Sequence, residues 1–172
     1  MTMDMLRRLY KAADRRGAWG AYGKMLILTG QRRGDVMGMH PMHIDQRTEQ
    51  WNQPTSKNGM PHIVPLTNRA MEIIRNEWEL DRFSWTGKTT FSDFKRRWFK
   101  DANVPSSFRL HDFRRAFATH LAEAGHSPDV IDRHLNHQAS ATSRGVARVY
   151  NRATMLGQRK RLMQEWDELL FS

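Results

Sequence analysis

The sequence predicts a mainly α-helical chain carrying one small antiparallel β-sheet, an α+β class. Three observations carry the prediction. Apolar residues recur at helical spacing through most of the chain. Between 42 and 66 that period gives way to alternation around Asn58-Gly59, a hairpin turn signal. The C-terminal stretch then returns to a long helical stripe.

Met5, Leu6, Leu9, Tyr10 and Ala13 set a first helix within 3–16. Trp19, Tyr22, Met25, Leu26 and Leu28 set a second over 19–28, which Thr29-Gly30 ends, and a short helix follows over about 33–39. MHID, EQWNQP and GMPHIVPLT read as two or three strands within 42–66. Helices resume at 67–79 and 90–102, the latter with Thr90 and Asp93 at capping-box spacing, and SWTGKTT between them reads as a loop. A helix over 111–125 carries Phe113, Phe117, Leu121 and Ala124 and stops at Gly125. Ser127-Pro128 then starts a helix running to about 136, with Ser127 as N-cap and proline in the first turn. QASATSR at 138–144 reads as a loop, and a short helix is expected around Tyr150. The last helix, 153–170, aligns Met155, Leu162, Met163, Trp166, Leu169 and Leu170. No internal repeat or low-complexity linker interrupts this order.

With 172 residues, 39% of them hydrophobic, and six tryptophans, the chain is long and apolar enough for one cored domain spanning 1–172. The absence of cysteine excludes disulfides, thiol catalysis and thiolate metal sites. No run approaches 18 apolar residues and the N-terminus has no apolar core of a secretory signal, so neither a membrane partner nor export is expected, and the expected setting is cytoplasmic. The net charge is +10 and the pI about 10.6, with 21 Arg against 7 Lys. Such a balance suits a polyanion, and arginine grips phosphate in a bidentate way at any working pH. A GC-rich genome would enrich arginine too.

Five places carry potential chemistry. In LTGQRRGDV, Gly30 allows a break between helices and Arg32 falls at the start of the next, suited to a phosphate oxygen, with Asp35 three residues on to steady it. The bland alternative is a surface arginine. Lys57, before the Asn58-Gly59 turn, stands at a hairpin tip and could protonate a leaving oxygen, or could be a solvated turn lysine. His111 and Arg114 sit at i and i+3 in HDFRR, so one helix face offers both to one ligand while Arg115 points elsewhere. By itself the pair is uninformative, since chance supplies about one His-x-x-Arg in a chain with this many His and Arg. His137 closes HLNH as a further hydrogen-bond donor or as a cap. A zinc site of His134, His137, His120 and His126 is conceivable, but no HExxH pattern supports it. Tyr150 in VARVYNR is one of three tyrosines. A phenol is only ~0.1% ionised at pH 7, so a nucleophilic tyrosine needs neighbouring positive charge or a base.

In this order, the five motifs resemble the catalytic domain of the tyrosine recombinases, the phage integrase family, over about residues 20–165. TGQRRGDV looks like the family's first-arginine motif, TSKNG like its hairpin-lysine motif, HDFRR like its His-x-x-Arg pair, HLNH like its Leu-Gly-His box, and VARVYNR like its nucleophile motif. Two departures stand out: Asn136 replaces the usual glycine, and the stretch from His137 to Tyr150 is longer than in many members. The N-terminal core-binding domain of the family has no counterpart, so the chain reads as a catalytic fragment.

The resemblance implies the tyrosine recombinase catalytic-domain fold and site-specific cleavage and rejoining of double-stranded DNA through a 3′-phosphotyrosyl link. Arg32 and Arg114 would hold the phosphate, His111 would take the Tyr150 proton or orient the phosphate, Lys57 would protonate the 5′ oxygen, and His137 would add a hydrogen bond. No cofactor, metal or ATP is implied. The expected state is a monomer alone and a tetramer on DNA, in the cytoplasm of a bacterium near the nucleoid. The last helix is expected either to dock into a neighbouring subunit or to pack on its own core. Three other functions fit the composition: a type IB topoisomerase, a DNA-binding module without catalysis, and a basic structural protein.

Overall fold

The computed structural model describes residues 1–56, 59–79, 90–137 and 155–172. Helix α1 (Met3–Ala13) is capped by Thr2, whose Oγ accepts from the Met5 amide at 3.2 Å, and buries Leu6, Leu9 and Ala13. A 3₁₀ turn leads into α2 (Gly17–Thr29), which is buried from Trp19 to Thr29 except at Lys24. A helix apolar all round belongs at the centre of a fold. Here α1, the short α3 (Arg33–Met37) and the later helices gather against it. Gly23 leaves room for the Trp98 ring, because a Cβ there would lie 2.8 Å from it.

Three strands follow, β1 (Ile44–Asp45), β2 (Gln50–Gln53) and β3 (His62–Pro65), in antiparallel order β1-β2-β3. The Asp45 carboxylate accepts from the Arg47 and Thr48 amides at 2.9 and 3.1 Å, which closes the first turn. Trp51 faces Val64 across β2 and β3, and both point into the core. Gln53 faces His62, and that pair is buried too.

Helix α4 (Asn68–Glu79) precedes α5 (Phe91–Asp101). Thr90 caps α5 as its spacing with Asp93 predicts, accepting from the Asp93 amide at 3.2 Å and donating to its carboxylate at 3.1 Å. Trp19, Phe91, Phe94, Trp98, Phe99 and Phe113 form one aromatic cluster between α2, α5 and α6 (His111–Glu123). Ala124 lies just past α6 and is exposed, so the apolar face ends at Leu121. Helix α7 (Pro128–His134) begins at Ser127 with proline in its first turn. The expected hydroxyl cap does not form. The Ser127 carbonyl instead receives the Val130 and Ile131 amides, at 3.0 and 3.2 Å.

Helix α8 (Leu156–Phe171) seats Leu162, Met163, Trp166 and Leu170 on the chain's own core. The Trp166 indole donates to the Ile27 carbonyl at 3.0 Å and meets Phe117 edge-on at 4.9 Å. Arg7 donates to the carbonyls of Leu169 and Leu170 at 2.9 Å, and Arg69 pairs with Asp167 while lying 3.8 Å from the Phe171 ring centre. Of the two expectations for this helix, packing on its own core is the one seen. Among the described residues no helix is long and apolar enough to cross a membrane. Lys57, Asn58, most of the loop expected at 84–90, the loop at 138–144 and the short helix around Tyr150 lie outside the described residues.

Candidate active site

Gly30 ends α2 in the left-handed region, φ +62°, with its amide on the Leu26 carbonyl at 3.2 Å. Two constraints make it glycine. The positive φ disfavours a side chain, and a Cβ would lie 2.7 Å from Phe117. This tight exit delivers Gln31 inward and Arg32 to the N-cap of α3. Arg32 donates through Nη2 to the Asn136 carbonyl at 3.0 Å, and its Nη1 lies 3.7 Å from the Asp35 carboxylate, the steadying contact expected from the spacing.

Arg114 projects from the first turn of α6 and is only 3% exposed. It donates to the Gly30 carbonyl at 3.2 Å and to the Leu135 carbonyl. Burial pushes its guanidinium down to about 10, and the nearby Arg32 charge adds to the effect against the opposing pull of Asp35 and Asp132. It stays charged at neutral pH. Two residues 82 positions apart in sequence thus bring like charges to successive carbonyls, Leu135 and Asn136, at the end of α7. Helix-end carbonyls lack helical partners and carry partial negative charge, which offsets the repulsion. Arg114 Nε and Arg32 Nη1 are buried with no hydrogen-bond acceptor among the described residues.

His111 opens α6 one turn before Arg114. Partial burial lowers its pKa below the usual histidine value, and the charges of Arg114 and Arg115 lower it further, while Asp112 opposes them. At neutral pH it is an uncharged imidazole able to accept a proton. His137 ends the α7 turn with Nδ1 2.7 Å from the Asp132 carboxylate, directly after the residue whose carbonyl receives Arg32. Arg115 points away, 75% exposed and 3.6 Å from Asp112. The other histidines weighed for a metal are dispersed. His120 meets the Met1 carbonyl, His126 meets Glu165 and His134 meets the Thr29 carbonyl. No metal-holding group of three or more His, Asp or Glu occurs among the described residues.

Behind the arginines lie residues whose roles no local sequence pattern announces. Asn136 takes φ +52°, the left-handed region where glycine is easiest and asparagine is tolerated. Its place in the box where glycine is usual follows from that conformation. Its side chain donates to Ser56 Oγ at 2.8 Å, which ties the strand hairpin to the α7 turn immediately before Lys57 in sequence. Gln31, His62 and His134 form a buried polar cluster beneath the same turn. A usable signal was present in Gln31, a polar residue wedged between a helix-ending glycine and Arg32.

The sequence model described as "Phage integrase family" matches residues 1–155. Prophage integrase IntZ of Escherichia coli (strain K12) is 29% identical over 182 residues, covering 95% of this chain and 42% of that protein. Prophage integrase IntA of the same organism is 28% identical over 154 residues, covering 84% and 37%. The chain therefore spans less than half the length of these relatives. In three dimensions it is similar to XerA recombinase, with a TM-score of 0.69 at 20% identity over 96% of this chain and 62% of that one. It is also similar to XerH site-specific recombinase in a post-cleavage complex with a palindromic difH substrate, with a TM-score of 0.64 at 15% identity over 96% and 51%.

Proposed function

This chain belongs to the phage integrase family, and from that membership we propose that it cleaves and rejoins double-stranded DNA through a covalent 3′-phosphotyrosyl intermediate. The observation that carries the proposal is the convergence of Arg32 and Arg114 on successive carbonyls, with His111 one turn before Arg114 on α6 and His137 next after Asn136. The net charge of +10 supports a nucleic-acid partner, and the neighbour XerH carries a DNA-site substrate in its complex.

In the proposed reaction Arg32 and Arg114 hold the non-bridging oxygens of one phosphate. Negative charge builds on those oxygens as phosphorus becomes five-coordinate, so cations fixed in advance favour the transition state over the ground state. The Tyr150 oxygen attacks phosphorus, the bond to the 5′ oxygen breaks, and the phenolic proton passes to the neutral His111. Lys57 gives a proton to the departing 5′ oxygen. His137, steadied by Asp132, donates to the phosphate from its other nitrogen when protonated. A 5′-hydroxyl of another strand then reverses the attack. The ester conserves the bond energy, so neither ATP nor metal enters the scheme. The seated α8 supports a monomer away from DNA. A tetramer on DNA that used α8 would have to break the Arg7 and Arg69 contacts.

A suicide DNA substrate incubated in EDTA tests the proposal. Wild type should give a covalent band on a denaturing gel and Tyr150→Phe none, with DNA affinity nearly unchanged. A persistent band from Tyr150→Phe would refute the assignment, and tight binding with no band from wild type would favour a binding module.

A further inference from the structure

We propose that Gln31 and His62 are positioning residues for the two arginines, acting through the main chain of His134. The inference rests on the reading of Arg32 and Arg114 as the phosphate-binding pair.

The α7 helix ends in three successive carbonyls, and each is met by a side chain from a distant part of the chain. The His134 carbonyl accepts from Gln31 Nε2 and from His62 Nε2, both at 2.9 Å. The Leu135 carbonyl accepts from Arg114 and the Asn136 carbonyl from Arg32. A carbonyl oxygen has two lone pairs, and the first of these three uses both. That fixes the peptide plane immediately before the two that orient the arginines.

The cluster is held from every side. His134 is fully buried, its Nε2 is 2.9 Å from the Thr29 carbonyl and its ring stacks on Phe117 at 5.0 Å. Burial keeps its pKa well below the usual value, so the neutral ring donates from Nε2 to Thr29. Gln31 is 3% exposed and His62 7%. Burial, helped by the Arg159 charge, lowers the His62 pKa to about 4, so it too is neutral and must carry its proton on Nε2 to donate. Burying a glutamine and two histidines costs desolvation that an apolar core would avoid. Here each of them bonds a main-chain carbonyl that flanks the arginine pair. Displacing a catalytic group by about 1 Å can cost ~10²-fold in rate, which is why a fixed plane behind the arginines matters.

His62→Leu removes the donor and keeps bulk. His62→Gln restores a donor near the place of Nε2. Gln31→Met removes the second donor at similar volume. Two measurements are made on the full chain: single-turnover cleavage of a nicked DNA beside the Kd for the same DNA, and ¹H–¹⁵N spectra of the arginine Nε groups, assigned through Arg32→Lys and Arg114→Lys. The expected result for His62→Leu is a loss of ~10²-fold in cleavage with Kd within about twofold, and a shifted, faster-exchanging Arg114 signal, with His62→Gln recovering both. If His62→Leu does not fold, Gln31→Met against wild type carries the same comparison. Wild-type cleavage by His62→Leu, or equal losses in His62→Leu and His62→Gln that track thermal stability, would overturn the inference. If wild type itself forms no adduct, the proposed function fails and the spectra alone decide: unchanged arginine signals in His62→Leu sink the positioning role, and shifts reversed by His62→Gln sustain it.

Discussion

Arg114 donates from Nη2 to the carbonyl of Leu135, one residue before the carbonyl that receives Arg32. Its guanidinium therefore has a structural duty, and in the proposed reaction a chemical one as well. Arg114→Ala leaves the Gly30 and Leu135 carbonyls without this donor, at a cost of about 1–3 kcal/mol in stability. It should also lower cleavage by at least ~10²-fold. Arg114→Lys keeps the charge but lacks the fork that reaches two carbonyls, so DNA binding should be kept while cleavage stays low. Urea denaturation and single-turnover cleavage of each variant check both halves.

Acid should destabilise this fold through its buried histidines. The folded-state pKa of His62 is about 4 against an unfolded value near 6.5. Above pH 6.5 the ring is neutral in both states and contributes no slope. Between 6.5 and 4 only the unfolded state takes the proton, so stability falls with falling pH, by about 3 kcal/mol in total. His134 acts with the same sign. Urea midpoints should be flat from pH 8 to 7 and decline below 6.5, and His62→Gln should flatten that decline. An unchanged slope in His62→Gln would contradict the assignment.

A neutral His111 also sets an expectation for rate. Burial and the Arg114 and Arg115 charges hold its pKa below the ordinary histidine value. If it takes the phenolic proton, cleavage should persist as pH falls through 6.5 and drop only at lower pH. A rate that halves at or above pH 6.5 would assign the proton acceptor elsewhere.

Trp166 is fully buried, bonded to Ile27 and edge-on to Phe117, whose ring also stacks on His134. Trp166→Ala should cost about 3–5 kcal/mol. Because Phe117 links this core to the cluster behind the arginines, cleavage should fall under conditions where the chain remains folded. Calorimetry and cleavage measured together separate the two effects.

The fold was legible wherever periodicity and capping agreed. The apolar stripe of α2, the Thr90–Asp93 cap and the α8 stripe were read from spacing alone. What escaped was set by tertiary contacts. Ser127 has the residue type of a cap, yet its carbonyl serves in place of its hydroxyl, and spacing cannot distinguish these. The α8 stripe showed burial without showing against what, until Ile27 and Phe117 supplied the answer. At the site, what spacing made legible was placement: Arg32 at the start of α3 with Asp35 beside it, and His111 and Arg114 on one turn of α6. Gln31, His62 and His134 were not legible, because a polar side chain whose partner is a distant carbonyl leaves no local pattern. Asn136 looked like a departure and was explained only by its positive φ.

The most direct test of the central claim, that this arginine-lined site serves one phenolic nucleophile, is to locate the covalent link. The adduct formed in EDTA is digested with trypsin and nuclease, and the residual nucleotide mass is mapped by tandem mass spectrometry. The predicted result is attachment at Tyr150, lost when Arg114 is replaced by alanine. Attachment at Tyr10 or Tyr22, or at any other residue, would contradict it.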